Sequence, residues 1–385
     1  MKRWPNKPLG ELLKVQNGFA FKSELFNEDG KGLPIIRIRD LARGFSKTFY
    51  DGEHDPAFEV ENGDFLIGMD GEFRCYRWQG GKALLNQRVC RLQNFSRDLN
   101  AGYVFYGIND HLREIEDNTA FVTVKHLSSK QIASVEMSVP PLAEQERIVR
   151  LLDEADELRK LRAQADRRTA DLIPSLFQEM FDKYAKKLHD HVRLERIAEV
   201  VSGVAKGRNF NGRQPVEVPY LRVANVQAGY LDLSEIKTIQ ALPEEVEVLA
   251  LRKGDVLLTE GGGFDKLGRG AMLEQDLPNC IHQNHVFRVR VEQSKLNPVY
   301  FAKFLLTGEA RGYFLGCAKR TTNLASINMT QLRALPVPLS PLPLQKEFAA
   351  RVSEIRAVQA EQSVSRRRLD DLFQSMLHRA FQGEL

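Results

Sequence analysis

The chain has 385 residues, of which 43% are hydrophobic and 28% charged, and its formal net charge is +4. This length predicts two or three domains, each with its own core. The nearly balanced charge excludes a protein that is basic over its whole surface and binds nucleic acid through that general charge. No apolar run approaches the roughly 18 residues of a membrane span, and the N-terminus lacks the apolar stretch of a secretory signal.

The sequence repeats itself. LPIIRIRDLARGF begins at Leu33 and VPYLRVANVQAGY begins at Val218, an offset of 185 residues. Further matches in the same order pair LGELLKVQNG with LERIAEVVSG, VENGDFLI with LRKGDVLL, NQRVCRL with QNHVFRV, and PLAEQERI with PLPLQKEF. The offset grows stepwise along the chain, which loop insertions explain. The sequence therefore predicts two copies of one structural unit.

Each copy begins with a mixed region, residues 1–140 in the first and 188–340 in the second. Alternating apolar residues and Gly-Asp turns predict short strands in both, for example IIRIRDL and DVLLTE. We expect two similar mixed α/β domains of the α+β class.

A long helix is predicted to follow each mixed region, over residues 141–187 and 341–385. The proline-rich segments VPPLAEQ and VPLSPLPLQ read as helix starts, because proline is tolerated in a first turn. Pro174 lies inside the first helix and predicts a kink there.

Apolar residues recur at spacings of three and four along both helices, with polar residues near the middle of each. In the first helix we assign Ile148, Leu151, Ala155, Leu158, Ala165, Leu172 and Leu176 to this stripe, with Arg162 and Thr169 filling the gaps. In the second we assign Phe348, Val352, Ile355, Leu369, Phe373, Met376 and Ala380, with Gln359, Gln362 and Arg366 between them. The heptad-like spacing favours an antiparallel coiled-coil-like pair with pseudo-twofold symmetry between the repeats. Packing of each helix on its own domain is the alternative.

Motifs for catalysis are absent from the sequence. Gly263 and Gly268 have the spacing of a phosphate-binding loop, but Arg269 and Gly270 stand where that loop needs Lys and Ser or Thr. EGGGFDKLGRG is better explained as a β-hairpin loop that presents Lys266 and Arg269. His282 and His285 lack a third ligand at a suitable spacing, so a hydrogen-bonding strand histidine is favoured over a metal site. The four cysteines form no Cys-x-x-Cys pair, which is typical of reduced thiols in a cytosol.

Local clusters of cations are the candidates for DNA contact, because Arg and Lys bind phosphate and Arg also pairs with guanine. Arg37 and Arg222 occupy the same position in the two copies, which favours a structural or phosphate-binding role for this pair. The full set of candidates is Arg37, Arg39, Arg43, Arg74, Arg77, Arg88, Arg91, Lys206, Arg208, Arg213, Arg222, Lys266, Arg269, Lys319 and Arg320.

Two variable domains, each closed by a proline-rich segment and a long helix, resemble the DNA specificity subunit (HsdS) of type I restriction–modification systems. The segments that carry the resemblance are SVPPLAEQERIVRLLDEADELRK, LPVPLSPLPLQKEFAARV and LFQSMLHRAFQGEL, together with EGGGFDKLGRG and HQNHVFRV. The second copy departs from the pattern at Leu344, where the first has Glu144, and it keeps the glutamine as Gln345.

The resemblance implies a non-catalytic reader of double-stranded DNA. Residues 1–140 and 188–340 would be target-recognition domains that each read half of a bipartite, asymmetric site, and the helices would set the spacer. Two methyltransferase subunits would use S-adenosylmethionine, and motor–nuclease subunits would use ATP and Mg²⁺. The chain itself would bind no cofactor and no metal. Candidates for helix pairing or subunit contact are Gln145, Ile148, Leu151, Leu158, Leu172, Gln345, Phe348, Val352, Ile355, Leu369 and Met376.

Two other functions fit the same residues. One is a stand-alone DNA-binding or regulatory protein of this architecture, and the other is a protein scaffold that binds no DNA. A role in DNA restriction and methylation places the chain in a bacterial or archaeal cytoplasm, beside the nucleoid.

Overall fold

A computed structural model describes residues 4–118, 125–185, 191–263, 266–320 and 325–385, and the chain divides into two compact units. Unit 1 comprises Met1–Gln164 and Ser363–Leu385, and unit 2 comprises Ala165–Gln362. Each unit therefore contains one mixed α/β region and portions of two long helices.

The globular part of unit 1 alternates short strands and helices. Its strands are β1 (Asn6–Pro8), β2 (Lys14–Asn17), β3 (Phe26–Asn27), β4 (Leu33–Ile36), β5 (Phe49–Tyr50), β6 (Glu59–Val60), β7 (Phe65–Gly68), β8 (Cys75–Arg77), β9 (Ala83–Leu85), β10 (Val89–Gln93) and β11 (Glu136–Ser138). Its helices are α1 (Leu9–Leu12), α2 (Ile38–Leu41), α3 (Ala101–Asn118) and α4 (Ser129–Ala133). The first long helix is α5 (Leu142–Ala170), followed by α6 (Leu172–Ala185).

Unit 2 has a similar series of elements. Its strands are β12 (His191–Arg193), β13 (Ala198–Ser202), β14 (Val216–Leu221), β15 (Lys237–Ala241), β16 (Val256–Thr259), β17 (Gly261–Gly262), β18 (Gly270–Met272), β19 (Ile281–His282), β20 (Val286–Val291), β21 (Lys319–Arg320), β22 (Ala325–Ser326) and β23 (Pro336–Pro338). Its helices are α7 (Pro243–Leu249), α8 (Pro298–Phe304), α9 (Gly308–Cys317) and α10 (Met329–Arg333), and the second long helix is α11 (Leu342–Gln382).

The sheet topology is repeated between the units. The antiparallel sheet β2-β10-β7-β8 of unit 1 corresponds to β13-β20-β16-β18 of unit 2. The parallel pair β4–β9 corresponds to β14–β19, and the two-stranded sheet β1–β11 corresponds to β12–β23. The mixed α/β class and the internal repeat predicted from the sequence are thus confirmed.

Gly18 and Gly203, at matching places in the two copies, permit a close approach of backbones. A Cβ atom on Gly18 would lie 2.1 Å from the carbonyl oxygen of Asn86, and one on Gly203 would lie 1.8 Å from that of His282. Only glycine fits such contacts. This steric limit explains why the glycine is present in both copies.

The predicted strand IIRIRDL is only partly correct. Strand β4 ends at Ile36, and Ile38–Leu41 forms a helical turn instead. The buried carboxylate of Asp40 accepts a hydrogen bond from the backbone N–H of Arg37 at 3.0 Å, which stabilises the turn. The strand predicted in DVLLTE is present as β16.

The first long helix is interrupted at Asp171, three residues before the predicted kink position. Proline removes one hydrogen bond and its ring clashes with the carbonyl four residues earlier. For Pro174 that carbonyl belongs to Ala170, which is the last residue of α5. The break therefore follows from Pro174, as the sequence predicted.

Within each unit, the portions of the two long helices run antiparallel. In unit 1 the Arg159 Nε atom donates to Asp370 Oδ1 at 2.7 Å. In unit 2 the Thr169 hydroxyl donates to Gln362 Oε1 at 2.7 Å, while Phe348 packs against Phe181 with ring centroids 5.4 Å apart. Both helices also pack on the globular part of each unit, so pairing and domain packing occur together.

The buried stripe of the first helix differs from the predicted one at two of its seven apolar positions. Leu152 and Ile173 are buried, whereas Leu158 is 53% exposed and Leu172 is 46% exposed. At this turn the residue that faces the second long helix is Arg159 and not Leu158, since Arg159 contacts Asp370. The assignment of Leu158 and Leu172 to helix pairing is therefore wrong, and Leu151 is only partly buried.

The other predicted helix positions lie on the seam. Ile148, Phe348 and Val352 are buried, and Ile355, Leu369 and Met376 are partly buried. Ile355 packs against the core of unit 2, and Met376 against the core of unit 1. In the second helix, these two side chains therefore face the protein interior, as the predicted stripe requires.

Candidate nucleic-acid interface

In both units, a turn precedes a central strand of the four-stranded sheet, β10 in unit 1 and β20 in unit 2. This turn lies beside the end of the neighbouring strand, β7 or β16. In unit 1 the backbone N–H of Met69, after β7, donates to the carbonyl of Arg88 at 2.8 Å. In unit 2 the N–H of Glu260, after β16, donates to the carbonyl of His285 at 3.0 Å. Arg88 and His285 therefore occupy equivalent positions at the same edge of equivalent sheets.

Asp70 organises two cation-forming side chains at this edge of unit 1. Its Oδ2 atom lies 2.5 Å from Arg88 Nη1, and its Oδ1 atom lies 2.7 Å from His126 Nδ1. Burial alone would raise the pKa of Asp70, but the hydrogen bonds from His126 and Arg88 outweigh burial and lower this pKa. Asp70 stays charged at neutral pH, and it holds an arginine whose side chain is 57% exposed.

The corresponding edge of unit 2 carries a different pair. His285 Nδ1 lies 2.5 Å from Glu260 Oε2, and the histidine is 56% exposed. Both line a groove of about 520 Å³, whose wall also includes Gly261, Gly262 and the exposed Lys319. Such a groove combines hydrogen-bonding side chains, a cation and accessible backbone, which suits contact with a nucleic acid.

The glycine-rich segment forms the connection between the antiparallel strands β16 and β18, as predicted for a hairpin. Lys266 is exposed on this connection. Arg269 instead turns inward, where Nη1 donates to Gln227 Oε1 at 2.9 Å and Nη2 lies 3.4 Å from the Val223 carbonyl oxygen. Arg269 ties the hairpin to the segment after β14, so its contribution to any ligand is partly indirect.

The segment after β4 presents two exposed cations and an exposed aromatic ring. Arg39 and Arg43 are exposed and form no ion pair with a carboxylate among the residues that the structure describes. Phe45 follows and is 47% exposed. Tyr230 is the residue at the same position in the second copy, and it is 61% exposed. Neither aromatic residue is among the candidates predicted from the sequence, although the two align within the repeat.

Three arginine candidates of unit 1 are used inside the fold. Arg91 is only 14% exposed and donates to Gln16 Oε1 and to the backbone carbonyls of Glu59 and Ala57. The Arg77 guanidinium lies 5.1 Å from the centre of the Phe105 ring and 3.6 Å from Asp153 on α5. Arg37 donates to the hydroxyl of Thr48. The guanidinium groups of Arg91 and Arg77 already bind other parts of the chain, so these two are weaker candidates for DNA contact than the exposed arginines.

Arg74 is more accessible. Its side chain is 59% exposed, with Glu72 at 3.9 Å and the Tyr76 ring 5.6 Å away. It remains a candidate.

Two partly buried arginine candidates of unit 2 pair with carboxylates. Arg208 forms a two-pronged contact with Glu245, and the hydrogen bond from Arg208 lowers the pKa of this carboxyl group. Arg222 Nη2 lies 2.5 Å from Glu235. Of the structural and phosphate-binding roles expected for Arg222, these contacts favour the structural one, and Arg208 makes the same kind of contact.

Of the remaining candidates of unit 2, two lie at the surface and one has a side chain outside the residues that the structure describes. Arg213 pairs with Glu244 but is 58% exposed. Lys206 is exposed. The side chain of Arg320 lies outside the described residues.

Sequence reasoning missed the two carboxylates that orient the exposed side chains, Asp70 and Glu260, and also His126. No local motif marks them, because Asp70 and His126 are far apart in the chain and meet only through strand pairing. His282 agrees with the predicted strand histidine, since its Nδ1 atom contacts the Val286 carbonyl oxygen at 2.7 Å.

Gln145 and Gln345 are fully buried, which corrects their assignment as subunit contacts. Each side-chain amide binds backbone groups of its own unit. The accessible large apolar side chains of the long helices are other residues instead, namely Leu142, Leu158, Leu161, Val364 and Leu372 in unit 1 and Leu172 and Val358 in unit 2.

No group of three metal-ligating side chains occurs within the described ranges. The same ranges contain no helix that is both long and apolar enough to span a membrane. Cys75, Cys90 and Cys280 are free and buried, and burial raises the pKa of Cys90 and of Cys280 to about 12. These thiols are therefore protonated at neutral pH.

Comparison with known proteins identifies the class of domain. Residues 1–166 match the family described as the type I restriction modification DNA specificity domain. The specificity subunit of the type I restriction enzyme EcoBI of Escherichia coli is 28% identical over 419 residues, which cover 99% of this chain and 86% of that subunit. The MjaVIII specificity subunit of Methanocaldococcus jannaschii is 24% identical, with 91% of this chain and 86% of that subunit aligned.

Solved structures show the same fold. The S subunit of a type I restriction–modification system from M. genitalium aligns with a TM-score of 0.57 at 14% identity, over 98% of this chain and 96% of that chain. A chain from a structural study of complex assembly and conformational transition in the type I system aligns with a TM-score of 0.60 at 16% identity, over 100% of this chain and 99% of that chain.

Residues 1–166 of this chain belong to the family of type I restriction–modification DNA specificity domains, and the chain as a whole is similar to specificity subunits, as its sequence motifs indicated. Members of this family are non-catalytic components of a restriction–modification complex. The comparisons do not favour a stand-alone regulator or a scaffold without DNA.

Proposed function

We propose that this chain is the DNA-reading subunit of its complex and that each unit reads one half of a bipartite, asymmetric site. The observation that carries the proposal is the difference between equivalent positions of one scaffold. Unit 1 presents Arg88, held by Asp70, where unit 2 presents His285, held by Glu260. Equivalent sheet positions with unlike side chains are suited to reading unlike base pairs, because base edges differ in their donors and acceptors.

The long helices are proposed to set the spacer between the two half-sites. Helix α11 has 41 residues without interruption, and so extends about 60 Å at the rise of an α-helix. Its first part belongs to unit 2 and its last part to unit 1. Hydrogen bonds of Arg159 with Asp370 and of Thr169 with Gln362 support a fixed register within the units.

Two methyltransferase subunits are the proposed protein partners, with motor–nuclease subunits as further components. S-adenosylmethionine, ATP and Mg²⁺ would be used by those partners and not by this chain. The exposed leucines and valines of the long helices supply the apolar surface that a stable subunit interface needs. A DNA substrate and such partners place the complex in a bacterial or archaeal cytoplasm.

The proposal is tested by expressing the full chain with its methyltransferase subunits and sequencing the methylated adenines of the host genome. We expect one bipartite motif with two different halves and a constant spacer. Lengthening both long helices by whole turns should change the spacer and leave both half-sites unchanged. A motif with a single contiguous site, or half-sites that change with helix length, would contradict the proposal.

A further inference from the structure

Arg88 has a backbone conformation that arginine rarely adopts. The N–H of Val89 donates to the carbonyl of Asn86 at 3.2 Å, so residues 86–89 form a β-turn with Arg88 in third place. The φ angle of Arg88 is +71°, a value that favours glycine at this turn position. The other non-glycine residues with positive φ in the described ranges are Asn94, Asn211 and Asn279. Asparagine tolerates this conformation through local hydrogen bonds, whereas arginine has no such compensation.

Backbone strain of this kind persists where the surroundings enforce it, and it is frequent at binding sites. The enforcing contacts here are the Met69 N–H, which binds the Arg88 carbonyl at 2.8 Å, and the Asp70 carboxylate, which binds Nη1 at 2.5 Å. The equivalent residue His285 does not have a positive φ. The strained conformation is therefore particular to the residue that presents a guanidinium group.

The Asp70 contact also orients the guanidinium. Among the described residues, the guanidinium group of Arg88 has a hydrogen bond only through Nη1, which leaves donors on Nε and Nη2. The Arg88 side chain is 57% exposed, while Asp70 is only 19% exposed and is held from its other side by His126. A guanidinium fixed along one edge and open along the other can donate two parallel hydrogen bonds to the O6 and N7 atoms of guanine.

We propose that Arg88, oriented by Asp70, reads a guanine in the half-site of unit 1. Asp70 acts as a positioning residue for Arg88 and does not itself contact the base. The inference rests on the proposed function, since it assigns one base of the site that unit 1 reads. In unit 2 the same position carries His285, so the two half-sites differ at the corresponding base pair.

Substitution of Arg88 by glycine separates a reading role from a structural one. Arg88→Gly removes the guanidinium and relieves the backbone conformation, so the variant should unfold at the same temperature as the wild type or at a higher one. The full chain, in complex with its methyltransferase subunits, is used to select from a pool of duplexes with randomised sequence. We expect the variant to lose about 10- to 100-fold of its preference for guanine at one position of one half-site. The other half-site should not change.

Two further variants complete the experiment. Asn94→Gly relieves a positive φ of 54° in the same unit without removing a cation, and the selected motif should not change. Asp70→Ala keeps the arginine but removes its support, and the preference at the same guanine should weaken.

Each other outcome overturns the inference in a distinguishable way. A uniform loss of affinity in Arg88→Gly with an unchanged motif would make Arg88 a phosphate contact. A drop in the unfolding temperature together with changes in both half-sites would make its role structural. If the wild-type complex selects no bipartite motif, the proposed function itself fails and the inference fails with it.

Discussion

The side chain of Gln145 holds the backbone of Asn100 in place. Its Oε1 atom accepts the N–H of Asn100 at 2.8 Å, and its Nε2 atom donates to the carbonyls of Asp98 at 2.9 Å and Pro140 at 2.8 Å. Gln345 repeats the arrangement in unit 2, with the N–H of Asn297 at 2.8 Å. A fully buried amide thus joins the start of each long helix to the globular part of its unit.

Replacing Gln145 by alanine should destabilise unit 1 by about 1–3 kcal/mol, because three backbone groups lose their partner and the carbonyl of Pro140 is buried. Chemical denaturation followed by circular dichroism measures the change. Gln164→Ala, at an exposed position of the same helix, is the matched control and should change stability by less than about 0.5 kcal/mol. Equal effects of the two substitutions would show that Gln145 has no bracing role.

His282 should make unit 2 less stable in mild acid. Burial, assisted by the nearby Arg288 charge, lowers the pKa of His282 to about 4, whereas an unfolded histidine titrates near 6.5. Between these values the unfolded chain binds a proton that the folded chain excludes, so stability falls as the pH falls from about 6.5 to about 4. The contribution of neutral His282 to the free energy of unfolding is fully present above about pH 6.5, and it amounts to roughly 3 kcal/mol at most.

Unfolding curves recorded between pH 7 and pH 4 test this dependence. His282→Gln should flatten the decline, while His378→Gln at an exposed position should leave it intact. A decline of the same steepness in His282→Gln would assign the acid sensitivity to other groups.

Arg159 should couple the two long helices within unit 1. It lies 2.7 Å from Asp370 and 4.4 Å above the Phe373 ring, but the ion pair is partly exposed, so we expect a coupling of only about 0.5–1 kcal/mol with Asp370. A double-mutant cycle of Arg159→Ala and Asp370→Ala measures it. Arg159→Lys should recover little, since lysine cannot stack as a planar group. Strict additivity of the two alanine substitutions would exclude the coupling.

Arg39 and Arg43 should contribute to DNA affinity without affecting the sequence that is read. Both are exposed cations, and each phosphate contact that is lost should reduce the slope of log K against log salt by about 1. Binding of a duplex that carries the complete target, measured at several salt concentrations, gives this slope. A change of the selected bases in Arg39→Ala or Arg43→Ala would instead make them base-reading residues.

Arg269→Ala should weaken recognition of the second half-site only. The side chain holds Gln227 and the carbonyl of Val223, so its removal loosens the segment after β14 within unit 2. Selection from randomised duplexes should show relaxed preference in one half of the motif, and Lys206→Ala is the control for loss of an exposed cation. Equal relaxation of both halves would contradict a role confined to unit 2.

Much of the architecture could be predicted because its signals are local. The ordered matches between the two copies predicted the repeat, and the proline-rich segments marked the starts of α5 and α11 at Leu142 and Leu342. Heptad spacing alone did not determine the seam of the first helix. Leu158 and Arg159 are adjacent, and an apolar pattern selects the leucine although the arginine faces the other helix.

The candidate site depended more strongly on contacts between distant residues. A list of cations follows from the sequence, but Arg91 and Arg88 are equivalent in such a list. The structure buries Arg91 against Gln16 and leaves Arg88 exposed against Asp70.

The amino-acid sequence alone determined that this protein is a duplicated α/β chain with two long helices, because repeat identity and hydrophobic periodicity are properties of neighbouring residues. The tertiary structure decided which cations are available to a ligand and which side chains orient them. That choice depends on strand pairing, which brings Asp70 beside both Arg88 and His126, and on burial, which consumes the donors of Arg91. Neither pairing nor burial is encoded by any one segment of the chain.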